Sequence, residues 1–247
     1  MGKSVFYYLF RGVSLVYHSP EIFLIGVSIS LVGFFYSLLP ESSIKTVLSL
    51  IGFFLTFFEM SFYMSMPIFL IEKQQKRPIS YRSVGIVVIK NTKRLILFVI
   101  MLYVLGGILG LFLFYNMYLN SHGNVGQLES SMQSFLNPSR NWNLGGLLLN
   151  SLLSFLAFTS IYFSLENKGI FSSIKSSLVS SFKNLRYITM LVLIGIVSYT
   201  ISTFLVIQMV KTWQPIIDIV INNLFGLIIT ASSLIYYQNY IKSKHRI

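Results

Sequence analysis

The chain has 247 residues, of which 54% are hydrophobic, 16% aromatic and only 11% charged, whereas an ordinary soluble domain carries about 25% charged residues. With a mean hydropathy of +0.72, it reads as an integral membrane protein with no segment large enough to form a separate soluble domain. Cysteine is absent, which excludes disulfides, thiolate nucleophiles, Cys-ligated zinc, iron–sulfur clusters and palmitoyl anchors; no cofactor and no metal site is expected.

At the N-terminus, Phe6, Leu9, Phe10, Val13, Val16 and Tyr17 recur at helical spacing opposite Lys3, Arg11 and Ser14. That pattern predicts an amphipathic helix in the membrane interface. The start lacks a small-residue cleavage site, so the first hydrophobic segment is expected to be retained. Two apolar runs follow, Ile22 to Leu39 and Thr46 to Ile71, each long enough to cross a hydrocarbon core of about 30 Å. Their short link, Pro40 to Lys45, makes them an antiparallel hairpin. A second basic segment, Glu72 to Arg94, contains another predicted helix, Ile79 to Asn91. The third and fourth spans are Leu95 to Leu119 and Leu144 to Leu165, joined by the polar loop Asn120 to Asn143. In the third basic segment, Ile170, Ile174, Leu178, Phe182 and Leu185 form the predicted apolar stripe, with Ser172, Lys175, Ser176, Ser180 and Lys183 away from it. The last hairpin is Tyr187 to Val210 and Ile216 to Tyr240. The expected fold class is therefore all-α and polytopic, with six transmembrane helices and three cytoplasmic interfacial helices.

Of the 19 Lys and Arg residues, 16 fall before the first span, between the second and third, between the fourth and fifth, and after the last; 3 fall on the other side. Short loops rich in Lys and Arg stay in the cytoplasm, which places both termini there. The net charge of +12 then describes a basic inner rim facing anionic headgroups, and calls for no nucleic acid. Arg82, Lys90, Lys175 and Lys183 are the interfacial basic residues in the two internal segments.

Those segments align at an offset of 93: Arg82 with Lys175, Ser83 with Ser176, Lys90-Asn91 with Lys183-Asn184 and Lys93 with Arg186, while Glu72 matches Glu166 with one gap. This predicts three units of interfacial helix, span, outward loop and span, approximately 1–71, 72–165 and 166–247. An acidic residue ending a span, a short basic linker, a Ser-bearing amphipathic helix and Lys-Asn before the next span resemble the uncharacterised six-span bacterial proteins related to the membrane domain of glycerophosphodiester phosphodiesterases. The resemblance covers Phe69 to Ile96 and Phe163 to Ile188 best, with Tyr236-Tyr237 as a further point. It implies a six-span membrane domain alone, since the chain has no room for a phosphodiesterase barrel.

Ionisable residues inside the predicted spans are few. Glu59 sits mid-span, Asp218 lies two residues inside the sixth span, and His18, His122 and His245 all lie in connectors or the tail. Intramembrane serine, metallo- and di-aspartate proteases each lack required residues, and no enzymatic activity is expected. A carboxyl at bilayer depth costs on the order of 3 kcal/mol on insertion scales. Glu59 therefore reads either as a binding group for a proton or cationic head, with Asn150, Asn222 and Asn223 as supporting amides, or as hydrogen-bonded glue between helices. Asp218 reads as a first-turn carboxylate following Pro215. Gly106 and Gly110 form a GxxxG step suited to helix packing.

The leading functional expectation is a transport or transport-accessory protein handling a lipid, peptide or other amphiphile. The alternatives are the permease subunit of an ABC-type exporter, with an ATPase partner, and a scaffold, immunity or assembly factor that binds another membrane protein.

Overall fold

The computed structural model describes residues 4–37, 43–79, 82–96, 154–208 and 213–242, with 98, 100, 104 and 115 as isolated positions. Regular structure among them is helical throughout: α1 (Val5–Tyr17), α2 (Pro20–Ser37), α3 (Ser43–Gln74), α4 (82–96), α5 (Thr159–Ser164), α6 (Ile170–Lys183), α7 (Leu185–Gln208) and α8 (Gln214–Tyr236). A π-helical turn, Tyr237–Ile241, continues α8. Among the described residues, two stretches, Leu185–Ser202 and Gln214–Ile241, are long and apolar enough to cross a membrane, and α1 with α2 would make a third if taken as one bent span. Asn150, Gly106, Gly110 and the loop 120–143 lie outside the described residues.

The helix ends follow from local chemistry. Pro20 opens α2, where its missing N–H would have no helical partner and its fixed φ suits the first turn. Just before it, the backbone N–H of His18 bonds Ser14 O and that of Ser19 bonds Val16 O, which closes α1. The two helices meet at 77°. α6 and α7 break at Asn184, whose carbonyl receives the N–H groups of Tyr187 and Ile188. No such break divides α4, which runs through Asn91 toward the predicted third span; Thr92 sits within it, its hydroxyl on Val88 O at 2.8 Å. Just beyond α3, Lys76 turns into the left-handed region and the Arg77 N–H bonds Glu72 O, a C-terminal cap that uses a carbonyl left open by the helix.

α3 is 32 residues long, about 48 Å at 1.5 Å per residue, and so exceeds a hydrocarbon core of about 30 Å. Its C-terminal end ties back to the start of α2 through an ion pair between Lys73 and Glu21. Burial raises the Glu21 carboxyl, but the Lys73 hydrogen bond, a backbone hydrogen bond and the Lys73 charge outweigh it and hold the group below the usual glutamate range.

α8 is the hub, packed on α1, α2, α3 and α7, while α5 joins α3 to α6. Tyr187 and Tyr236 stack with centroids 4.1 Å apart and planes 15° from parallel. Tyr8 meets Tyr236 edge-on at 4.9 Å. Gly12 allows this approach, because a Cβ there would stand 2.8 Å from the Ser232 backbone nitrogen.

Most large apolar residues of the two predicted interfacial stripes face away from the protein. α1 buries Tyr8, Gly12 and Val16 and leaves Phe6, Phe10, Val13 and Tyr17 exposed. α6 buries Ser173, Ser177 and Ser181 together with Ile170, while Phe171, Val179, Phe182 and Leu185 are exposed. Small residues let backbones come close, and the Ser177 and Ser181 hydroxyls both donate to Phe155 O, at 3.1 and 2.7 Å. The large apolar side chains are thereby turned outward.

Candidate functional site: a polar junction of α2, α3 and α8

Ile22, Gly26 and Ser30 recur every fourth residue along the buried face of α2. Glu59 and Tyr63 share a face of α3 by the same spacing, and Asn223 projects from α8. Gly26 leaves the space that brings these groups together: a Cβ there would lie 2.7 Å from Asn223 Oδ1 and 3.2 Å from Phe62 Cε1.

The hydrogen bonds form a directed chain. The Tyr63 hydroxyl donates to Asn223 Oδ1 at 2.8 Å, Asn223 Nδ2 donates to Ser30 Oγ at 3.2 Å, and Ser30 Oγ donates to Glu59 Oε1 at 2.6 Å. Asn223 Nδ2 also reaches Ile219 O one turn back at 2.9 Å. Ser30 and Asn223 are buried, and Glu59 and Tyr63 are half-buried. Each of the three links donates toward Glu59, whose Oε1 is the acceptor at the end of the chain. Phe62 packs beside Gly26, and Phe57, Met66 and Phe69 are buried on the same helix.

Of the residues singled out from sequence, Glu59 and Asn223 belong to one cluster, linked through Ser30 and Tyr63. Asn222 is exposed, as its neighbour's inward direction requires on a helix. Arg82, Lys90, Lys175 and Lys183 are all exposed. Asp218 is half-buried and accepts a hydrogen bond from Ser202, joining α7 to α8. Ser30, Tyr63 and Gly26 carried no individual signal in the sequence; the Gly26–Ser30 spacing on an apolar run is the one pattern that points to them.

A second polar cluster lies where α4, α5 and α6 converge. Arg94 Nη2 donates to Phe163 O at 3.0 Å and to Lys168 O at 2.7 Å, Nη1 reaches Asn91 Oδ1 at 3.2 Å, and the guanidinium sits 3.9 Å over the Phe163 ring. It thereby caps carbonyls at the end of α5. Asn91 Nδ2 in turn donates to Ser65 Oγ at 2.7 Å. Lys168 pairs with Glu166 at 2.7 Å and lies over the Tyr162 ring, and Glu166 accepts from Tyr237. These groups satisfy one another and tie helices together. Among the described residues, no group of three or more His, Cys, Asp or Glu side chains could hold a metal.

Comparison of the chain with protein-family models, with curated proteins and with solved structures finds no match.

Proposed function

We propose that this chain is a six-span protein of a bacterial plasma membrane, with cytoplasmic termini, that carries or helps to carry an amphiphile with a cationic head. Glu59 receives that head or exchanges it for a proton, Asn223 and Ser30 orient the carboxylate, and no covalent chemistry is performed. The observation that carries this reading is the Tyr63–Asn223–Ser30–Glu59 chain, which sets a half-buried acidic group into an otherwise apolar helix contact. A group of this kind at bilayer depth serves an ion or proton pathway by default.

The three-unit architecture is part of the same proposal, as is kinship with the six-span proteins named above. In its support, Asn91 and Asn184 stand 93 residues apart and each joins its unit to a long helix. Asn91 bonds Ser65 on α3, and Asn184 Oδ1 accepts from the Tyr236 hydroxyl at 2.8 Å. A second reading, a scaffold that transports nothing, is favoured by the mutual satisfaction of the four junction groups, which is what interhelical glue requires.

Replacing Glu59 by Gln separates the two. The amide oxygen still accepts from Ser30, so the fold is kept while the charge is lost. Transport predicts that pH-dependent binding of cationic amphiphiles in liposomes disappears. Unchanged pH dependence would leave the scaffold.

A further inference from the structure

Four residues on one side of α8, Asp218, Asn222, Gly226 and Thr230, recur every fourth position over about 18 Å of helix. None is large and apolar. Asn222 is exposed and holds no hydrogen bond to another described residue. One turn on, a Cβ added to Gly226 would meet no atom within 4 Å. Thr230 is half-buried and its hydroxyl turns back onto Gly226 O at 2.9 Å. At the other end, Asp218 is half-buried beside Ser202.

α8 also exposes Val220 and Leu224, which project about 160° away from Asn222 at 3.6 residues per turn. The first half of the helix thus exposes Val220 and Leu224 on one side and the Asn222 amide on another. Hydrocarbon suits Val220 and Leu224, but an amide facing hydrocarbon leaves its hydrogen bonds unmade at a cost of several kcal/mol. Water or a polar ligand removes that cost.

We propose that the Asp218–Asn222–Gly226–Thr230 face lines a water-filled groove that takes the cationic head of the amphiphile, while its apolar tail stays in lipid. This rests on the function proposed above and names the route to it. Asp218 supplies negative charge at one end and Asn222 offers an amide midway, while Asn223, the next residue along the helix, belongs to the Glu59 junction on the adjoining buried face. Gly226 supplies the clearance that a head group needs to pass the helix.

The absence of cysteine makes this testable on the full chain in liposomes with single replacements Asn222→Cys and Leu224→Cys. The probes are two water-soluble methanethiosulfonates, one bearing trimethylammonium and one bearing sulfonate. A thiol needs water to ionise and react, so Asn222→Cys is expected to react at least about tenfold faster than Leu224→Cys. Relative to a free thiol in solution, the cationic probe should outrun the anionic one several-fold, and Asp218→Asn should erase that preference. Equal inertness at both positions overturns the groove, and equal rates for both probes overturn its cation selectivity. Ligand binding by Glu59→Gln is read separately. An inert Asn222→Cys with a ligand-deficient Glu59→Gln rejects the groove and keeps the site. Cation-selective labelling with a Glu59-indifferent ligand does the reverse.

Discussion

Replacing Gly12 by Ala probes the contact that holds α1 against the hub helix. A Cβ at Gly12 would stand 2.2 Å from Ser232 Oγ, 2.8 Å from Ser232 N and 2.9 Å from Ser232 Cα. The hydroxyl can rotate, but the backbone cannot, and carbon contacts settle at about 3.5–4.0 Å. α1 must therefore lift by roughly 1 Å, which also parts Tyr8 from its edge-on contact with Tyr236. Overpacking of this kind costs about 1–3 kcal/mol. Against it, Ala is better than Gly inside a helix by about 0.8–1.0 kcal/mol, so the net loss reaches about 2 kcal/mol. Gly33 on α2 is the control, because a Cβ there meets nothing within 4 Å; the same substitution should stabilise by up to about 1 kcal/mol through propensity alone. Thermal unfolding of both variants in one detergent, followed by the monodisperse fraction that survives heating, should move their midpoints in opposite directions. If Gly12→Ala matches Gly33→Ala, the close packing of α1 on α8 is wrong.

At the junction, Ser30→Ala removes the donor to Glu59 and the acceptor for Asn223 together, and should cost about 1–3 kcal/mol. Tyr63→Phe, which removes one link at the end of the chain, should cost less in the same unfolding assay; equal losses would contradict the chain's direction. Arg94→Lys gives up the planar fork shared by Phe163 O and Lys168 O and the stack on Phe163, with an expected loss of about 1–3 kcal/mol. Hydrogen exchange should then rise in α5 before α2; a uniform rise would deny the tether. For Glu21, a carboxyl held below its ordinary value of about 4.3 contributes stability that is fully present above that pH and fades as pH falls through the lower folded value. Denaturation between neutral and acid pH should show this loss in the parent protein, and Glu21→Gln should remove that component.

Much of the helical layout was legible because its signals are local. Pro20 marks the start of α2 and unbroken apolar runs mark α7 and α8, whereas the Lys-Asn pair sets no break by itself, since α6 and α7 part at Asn184 while α4 runs through Asn91. Glu59 and Asn223 stood out because polar groups in apolar runs need partners. The identity of those partners was not legible: Ser30 and Tyr63 are ordinary residues until α2, α3 and α8 are brought together. The faces that α1 and α6 turn toward the protein were not legible: small residues, Gly12, Ser173, Ser177 and Ser181, make those contacts, while Phe10 and Phe182 of the predicted apolar stripes stay outward, where an interfacial helix meets lipid. Arg94 looked like one more topological charge, although its guanidinium acts as a helix cap.

If Glu59 receives a cationic amphiphile as proposed, mass spectrometry of the protein extracted with its surrounding lipid in polymer nanodiscs should find one such molecule retained stoichiometrically by the parent and lost from Glu59→Gln, with both proteins equally folded. The same species retained by both, or bulk lipid alone on the parent, would contradict it.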